Sequence, residues 1–123
     1  MAVYETTDWV NYSKPELALQ ADALDTPMAE IYGMPVFPYE DNFVGFASIF
    51  HPDQAHLTQP LKGYLGTIDC QLAYSFNGWH FQRGLRDPFI PNAEPGEEGA
   101  GLVHPTSLVR DGDVLRICSA STR

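Results

Sequence analysis

Long apolar runs are missing from this chain, and no stretch approaches the ~20 consecutive apolar residues that a membrane-crossing helix requires. The opening Met-Ala-Val-Tyr-Glu-Thr-Thr-Asp-Trp also lacks a basic segment followed by an apolar one, so a cytoplasmic location is the default expectation. Positive charge is scarce. Seven Lys and Arg stand against 16 Asp and Glu, a net charge of −9, which repels phosphate backbones and anionic headgroups. Nucleic acid and membrane surfaces are therefore excluded as expected partners. Cysteine is sparse too: Cys70 and Cys118 both fall in apolar, strand-like runs without a Cys-x-x-Cys or Cys/His spacing, so both read as buried free thiols. His51, His56, His80 and His104 are scattered without metal-ligand spacing. There is no glycine-rich phosphate loop and no Gly-x-Ser-x-Gly elbow. No metal and no cofactor is expected.

What the 123 residues do hold is a composition that folds: 44% hydrophobic, 12% aromatic and only 19% charged. Ten Gly and ten Pro punctuate short segments rich in Val, Ile, Phe and Tyr, the pattern of many short strands. The expected class is all-β. Only Pro15 to Leu24 has a helix-friendly composition, with proline at a helix-starting position.

A strand-like run from Ala29 to Tyr39 and a second from Phe43 to Phe50 flank the turn Glu40-Asp41-Asn42, which predicts a hairpin. Thr67 to Tyr74 alternates with period two, placing Ile68, Cys70, Leu72 and Tyr74 on one face and Thr67, Asp69, Gln71 and Ala73 on the other. The first face is expected to be the apolar, core-facing one. A turn at Ser75 to Gly78 leads to a short run, Trp79 to Arg83, completing a four-strand meander. Leu102 to Val109 and Val114 to Cys118 flank Arg110-Asp111-Gly112-Asp113, whose Asp-Gly pair signals another hairpin. His51 to Gly66 has no clear period and reads as a surface loop.

Thr6-Thr7-Asp8-Trp9-Val10-Asn11-Tyr12 and Ser75-Phe76-Asn77-Gly78-Trp79-His80-Phe81 share one pattern: a hydroxyl residue, an Asp or Asn two later, an aromatic four after that. An Asp or Asn side chain accepts bonds from nearby backbone amides, and a repeated turn between repeated strands points to a repeat architecture.

The runs 6–19, 30–50, 66–91 and 95–120 resemble successive parts of glycosidase-like five-bladed β-propellers, the group related to glycoside hydrolase families 32 and 43. There, a strand ending like Gln71-Leu72-Ala73-Tyr74-Ser75 precedes a Ser-x-Asp-Gly-x-x-Trp turn and then an Arg. Ser75, Asn77, Gly78, Phe81 and Arg83 fill those places here. The resemblance implies blade repeats, each a four-stranded antiparallel meander. Residues 1–24 form an outer half-blade, 25–91 a full blade and 92–123 an inner half-blade of a single partial domain. Propellers close with about four or more blades, so two blades' worth of strands leaves the propeller incomplete and homo-oligomerisation is expected.

The resemblance also implies work on carbohydrate. The candidate channel-lining strands, Ala29 to Tyr39 and Gly101 to Val109, make Glu30 the first catalytic candidate, with Asp69 and Asp87 as further acids. Tyr32, Tyr39, Arg86 and His104 are the candidate substrate-binding residues. Carboxylates bond sugar hydroxyls and aromatic rings stack on the apolar sugar face. The plain reading of Glu30 is a solvated carboxylate, and that of Tyr32 a packing residue. Arg86-Asp87-Pro88 matches a triplet that family 32 enzymes use on the transition state, but here it follows the fourth strand; an Arg-Asp pair ordering a turn is the other reading. Relatives place an Asp where this chain has Gly99, which weighs against catalysis. Two functions stand at this point: a glycosidase-like protein active within a larger assembly, or a non-catalytic propeller fragment serving as a binding or oligomerisation module.

Overall fold

The computed structural model describes residues 1–54 and 65–123, and the expected loop between the two central strands, His56 included, lies largely outside them. The described residues are all-β, with no α-helix; the segment Pro15 to Leu24 contributes a short strand and a turn instead. No helix among them is long and apolar enough to cross a membrane. Nine strands occur among them: β1 Ala2–Val3, β2 Glu16–Leu17, β3 Glu30–Gly33, β4 Val36–Tyr39, β5 Asn42–Pro52, β6 Gly66–Ser75, β7 Gln82–Arg83, β8 Leu102–Asp111 and β9 Val114–Thr122.

β1 and β2 pair as a small two-stranded sheet; the other seven strands form one open sheet. Its centre is the long antiparallel pair β5–β6, in register from Phe43–Ser75 to Pro52–Gly66. Both strands therefore run further than the sequence pattern indicates, and His51 and Gly66 belong to the ladder, not to a loop. β3 and β4 both pair with β5 on one side, and β7 with β6 on the other, a meander in chain order. The single strand expected from Ala29 to Tyr39 is split, with a register shift between Ile31 and Gly33. Pro35 has no N–H for a ladder, yet its carbonyl still accepts from Phe46 at 3.1 Å. The Met34 side chain crosses Gly45 there: a Cβ on Gly45 would stand 2.6 Å from its sulfur. β8 joins β6 by a parallel bridge, Ile68–Leu102, and β9 folds back on β8 around Gly112, at φ 60°.

The sheet's two faces are covered unequally. Ala47, Ile49 and Ala73 on one face pack with Ala18, Leu19 and Phe81, which cover that face. Asp69, Gln71, Ala73 and Ser75 on β6 belong to that face and are buried, whereas Leu72 and Tyr74 on the other are 38% and 36% exposed. The alternation in β6 is real, but toward its C-terminal end the polar face is the inward one. It can be buried because its polar groups find partners there. Ile68 and Cys70, nearer the N-terminal end, are buried on the opposite face, where Phe89 and Ile90 bond the Cys70 backbone. Burial and the neighbouring Asp69 charge push the Cys70 thiol up to about 12. Cys118, by contrast, is exposed, on a strand whose residues are nearly all exposed.

Candidate functional site

The inward face of β6 carries a connected polar layer. Arg83, placed on β7 by the turn after Ser75, has a side chain 1% exposed, and its guanidinium grips Asp25 through two bonds of 2.7 and 2.6 Å. It also donates to Gln71 Oε1 at 3.1 Å and to the Gln20 carbonyl at 3.3 Å. This bidentate pairing is the geometry in which a buried ion pair is tolerated. Asp25 is presented by a tight turn: the Asp22 amide donates to Asp25 Oδ2 at 2.8 Å, and the Leu24 amide to Asp22 Oδ1 at 2.9 Å. Burial pushes the Asp25 carboxyl up, but the Arg83 bond and the Asp22 amide outweigh it, and the group lies below the usual carboxylate range. Asp22 is also lowered, first by the Leu24 amide and then by Arg86.

Arg86 extends the layer to the surface, donating to Asp22 at 2.6 Å and to Asp25 at 3.3 Å. The Arg86–Asp22 pair, about a third exposed, stands at the edge of an open cleft of about 370 Å³ bounded by Leu17, Gln20, His80 and Gln82. On the same sheet face His51 sits between Thr26 and Asp69: Nδ1 lies 3.0 Å from Thr26 Oγ1, and Nε2 3.0 Å from Asp69 Oδ2. In the neutral ring a proton on Nε2 faces Asp69, leaving Nδ1 to accept the Thr26 hydroxyl. The Asp69 bond raises the His51 pKa above 6.5 against the opposing effect of burial. The second Asp69 oxygen is buried without a hydrogen-bond partner.

The expected site residues are distributed over several places. Glu30 pairs with Phe50, and Ile31 with Ile49, which pairs with Asp69; Glu30 and Asp69 therefore lie on opposite faces of the sheet. Asp87 borders an apolar groove beside Leu72 and Tyr74, about 13 Å along β6 from the Glu30 end at 3.3 Å per residue. Glycosidic cleavage requires two carboxyl groups roughly 5 to 9.5 Å apart, and these three acids do not converge. Tyr32 stacks on Phe50 at 5.1 Å, and the His104 ring lies against Gly33, so β3 and β8 adjoin at that end. Tyr39 lines a second apolar groove with Phe46, Leu72 and Leu115. The Arg-Asp-Pro triplet is divided, since Arg86 takes Asp22 and Asp25 as its carboxylate partners rather than Asp87.

No protein-family model matches the chain, and comparison with curated proteins and with solved structures gives no match. The site is therefore read from its own residues. Among the described residues no group of three His, Cys, Asp or Glu side chains converges as a metal site would. The acids that the structure assembles, Asp22 and Asp25, are not singled out by sequence, nor is His51 as a partner of Asp69. The available signal is the polar alternation Asp69-Gln71 inside a strand otherwise rich in apolar residues, followed by Arg83 at a strand position.

Proposed function

We propose that the chain is a glycosidase-like blade module that binds carbohydrate as part of a larger assembly, without hydrolysing it alone. The observation that carries the reading is the cleft beside Arg86 and Asp22. There a half-exposed ion pair is held in place by a buried one and sits beside the amides and imidazole of Gln20, Gln82 and His80. Such mixed donors and acceptors suit sugar hydroxyls, which act as both. The separation of Glu30, Asp69 and Asp87 favours binding over cleavage. The charge of −9 favours a neutral ligand over nucleic acid or anionic lipid, and the free thiols of Cys70 and Cys118 suit a cytoplasmic setting.

Titration of the labelled protein with a panel of neutral oligosaccharides should shift the amide signals of Gln20, His80 and Gln82, and Arg86→Ala should abolish the shifts. A spectrum unmoved by every sugar ends the binding reading. Aryl glycosides should stay intact; turnover that collapses in Glu30→Gln would instead restore a hydrolase.

An assembly role for the same module has its own support. Tyr39, Leu72, Phe89 and Leu115 expose a contiguous apolar surface on the sheet face opposite the polar layer, a kind of patch that marks interaction sites.

A further inference from the structure

The two repeated turns share the bonds that their hydroxyl and their Asp or Asn side chain accept from the backbone. Thr6 Oγ1 accepts from the Asp8 and Trp9 amides as Ser75 Oγ accepts from those of Asn77 and Gly78. Asp8 Oδ1 accepts from Val10 and Asn11 as Asn77 Oδ1 accepts from Trp79 and His80. The fourth residue has positive φ in both, 61° at Trp9 and 76° at Gly78. The strands on either side correspond as well. Tyr74 pairs with Gln82, and the residues 69 positions earlier, Glu5 and Ser13, bond each other through the Ser13 amide and the Glu5 carbonyl at 2.9 Å. β1 therefore lies in the counterpart of β6, and residues 13–14, just before β2, are the counterpart of β7.

β6 has β5 along its second edge, whereas β1 has no strand there among the described residues. The other end of the chain shows the reverse vacancy. β8 and β9 are joined by two residues between Asp111 and Val114, as β4 and β5 are between Tyr39 and Asn42, so β9 is the counterpart of β5. β5 goes on to pair with β6, but the outer edge of β9 has no strand among the described residues. The chain thus carries the two halves of one further pairing at its opposite ends. Its own β1 is committed to β2, whose end lies beside β7: the Ala18 carbonyl accepts from the Phe81 amide at 2.9 Å, and the Met1 amine donates to the Leu19 carbonyl at 2.7 Å.

We propose that β9 of one copy pairs antiparallel with β1 of a second copy, in the register that β5 keeps with β6. The inference rests on the reading of the chain as an assembling blade module and names its partner. Carrying the register over, from Tyr39 to Asp111 (72 positions on) and from Ser75 to Thr6 (69 back), turns Val44–Tyr74 into Arg116–Glu5. Gly45–Ala73 becomes Ile117–Tyr4, and Phe46–Leu72 becomes Cys118–Val3. In a chain with only seven Lys and Arg, this register sets a cation directly against an anion, next to two apolar pairs. In the single chain Arg116 bonds Asp111 and is more than half exposed, leaving it accessible to a second carboxylate. β9 also lacks the usual protection of an edge, having no proline and one charge in nine residues. A β9–β1 contact joins two different surfaces, so it propagates head to tail, into a ring or a fibre.

Val3→Cys tests the register, because directly opposed residues have Cα atoms about 4.5 to 5.5 Å apart, within disulfide range. An equal mixture of ¹⁴N and ¹⁵N Val3→Cys protein, assembled and mildly oxidised, should give a disulfide-linked peptide that joins the substituted position to Cys118 and contains one chain of each label; Ala2→Cys, facing the other way, should give none. Val3 packs on the core, so surface charges offer a second measurement that does not depend on it. Arg116→Glu or Glu5→Arg should weaken association roughly two- to fivefold per contact, and the double exchange should restore it. Oligomers that lack both the mixed-label peptide and the charge rescue overturn this pairing while leaving assembly standing. So does a Cys118–Cys118 peptide from the unchanged protein, which would mean β9 pairs with β9, or a cross-link confined to one label. An unchanged protein that stays monomeric at micromolar concentration overturns both the pairing and the assembly reading.

Discussion

The turns at Thr6–Tyr12 and Ser75–Phe81 are near-identical in their hydrogen bonds and opposite in their surroundings. Phe81 is 8% exposed and helps form the core, while Tyr12, its counterpart, is 57% exposed. Arg83 is locked in a buried ion pair, while Lys14 at the same place in the first repeat is exposed. Gly78 takes its positive φ beneath the Phe43 ring, whereas Trp9 takes the same backbone conformation in the open, 84% exposed. A turn of this kind is a local object, made by side chains bonding amides two and three residues on, and it forms with or without a neighbour. What it contributes to stability depends on whether another strand lies alongside.

The sharpest way to test that difference is to remove the cation from each repeat. Arg83→Ala removes the bidentate partner of the buried Asp25 carboxylate, leaving it the 3.3 Å contact with Arg86, and should cost about 3 kcal/mol in urea unfolding. Lys14→Ala should cost no more than about 0.5 kcal/mol; comparable losses would break the contrast. Truncating the aromatics comes next. Phe81→Ala should cost about 3 kcal/mol, and Tyr12→Ala well under half of that by the same measurement. The left-handed positions follow. Gly78→Ala should destabilise by roughly 1 to 2 kcal/mol, and Trp9→Gly should raise Tm, since L-residues pay about that much in this conformation and Trp9 buries little.

The smallest effect expected is one of pH; in the exposed repeat it runs through Asp8, held below the usual carboxylate range by the Asn11 amide and side chain, and in the buried region through His51, Asp22 and Asp25. The folded pKa of His51 is raised, so its stabilisation is complete below the ordinary 6.5 and fades as pH climbs through the higher folded value. Asp22 and Asp25 are lowered, so theirs holds above the ordinary 3.8 and fades as pH falls through the lower folded values. The stability gap between the parent and His51→Gln should therefore narrow as pH rises from below 6.5 through the raised folded value; a gap that widens would contradict the Asp69 contact.

The meander is legible from its turns, because Glu40-Asp41, Ser75 to Gly78 and Asp111-Gly112 announce reversals by local chemistry. The break in the first strand is signalled by Pro35, but its form depends on Met34 filling the space over Gly45, a contact across strands. The inward face of β6 departs from expectation for a related reason. Alternation shows that two faces exist and points to the more apolar one as inner; the choice is in fact made by Ala18, Leu19 and Phe81 packing on the other face, with Arg83 meeting Gln71 and His51 meeting Asp69. Of the candidate site, Arg86 and Asp69 can be picked out by type, but not their companions. Asp22, Asp25 and His51 reach them from 18 to 64 positions away, and nothing in the spacing links them.

By itself the sequence determined the class, the reversals and the repeated turn, because each depends on contacts within a few residues, where covalent geometry limits the choices. The tertiary structure decided which sheet face is covered, which cation is buried and which edges stay open. Those are properties of layers, and a side chain acquires them only from what packs against it.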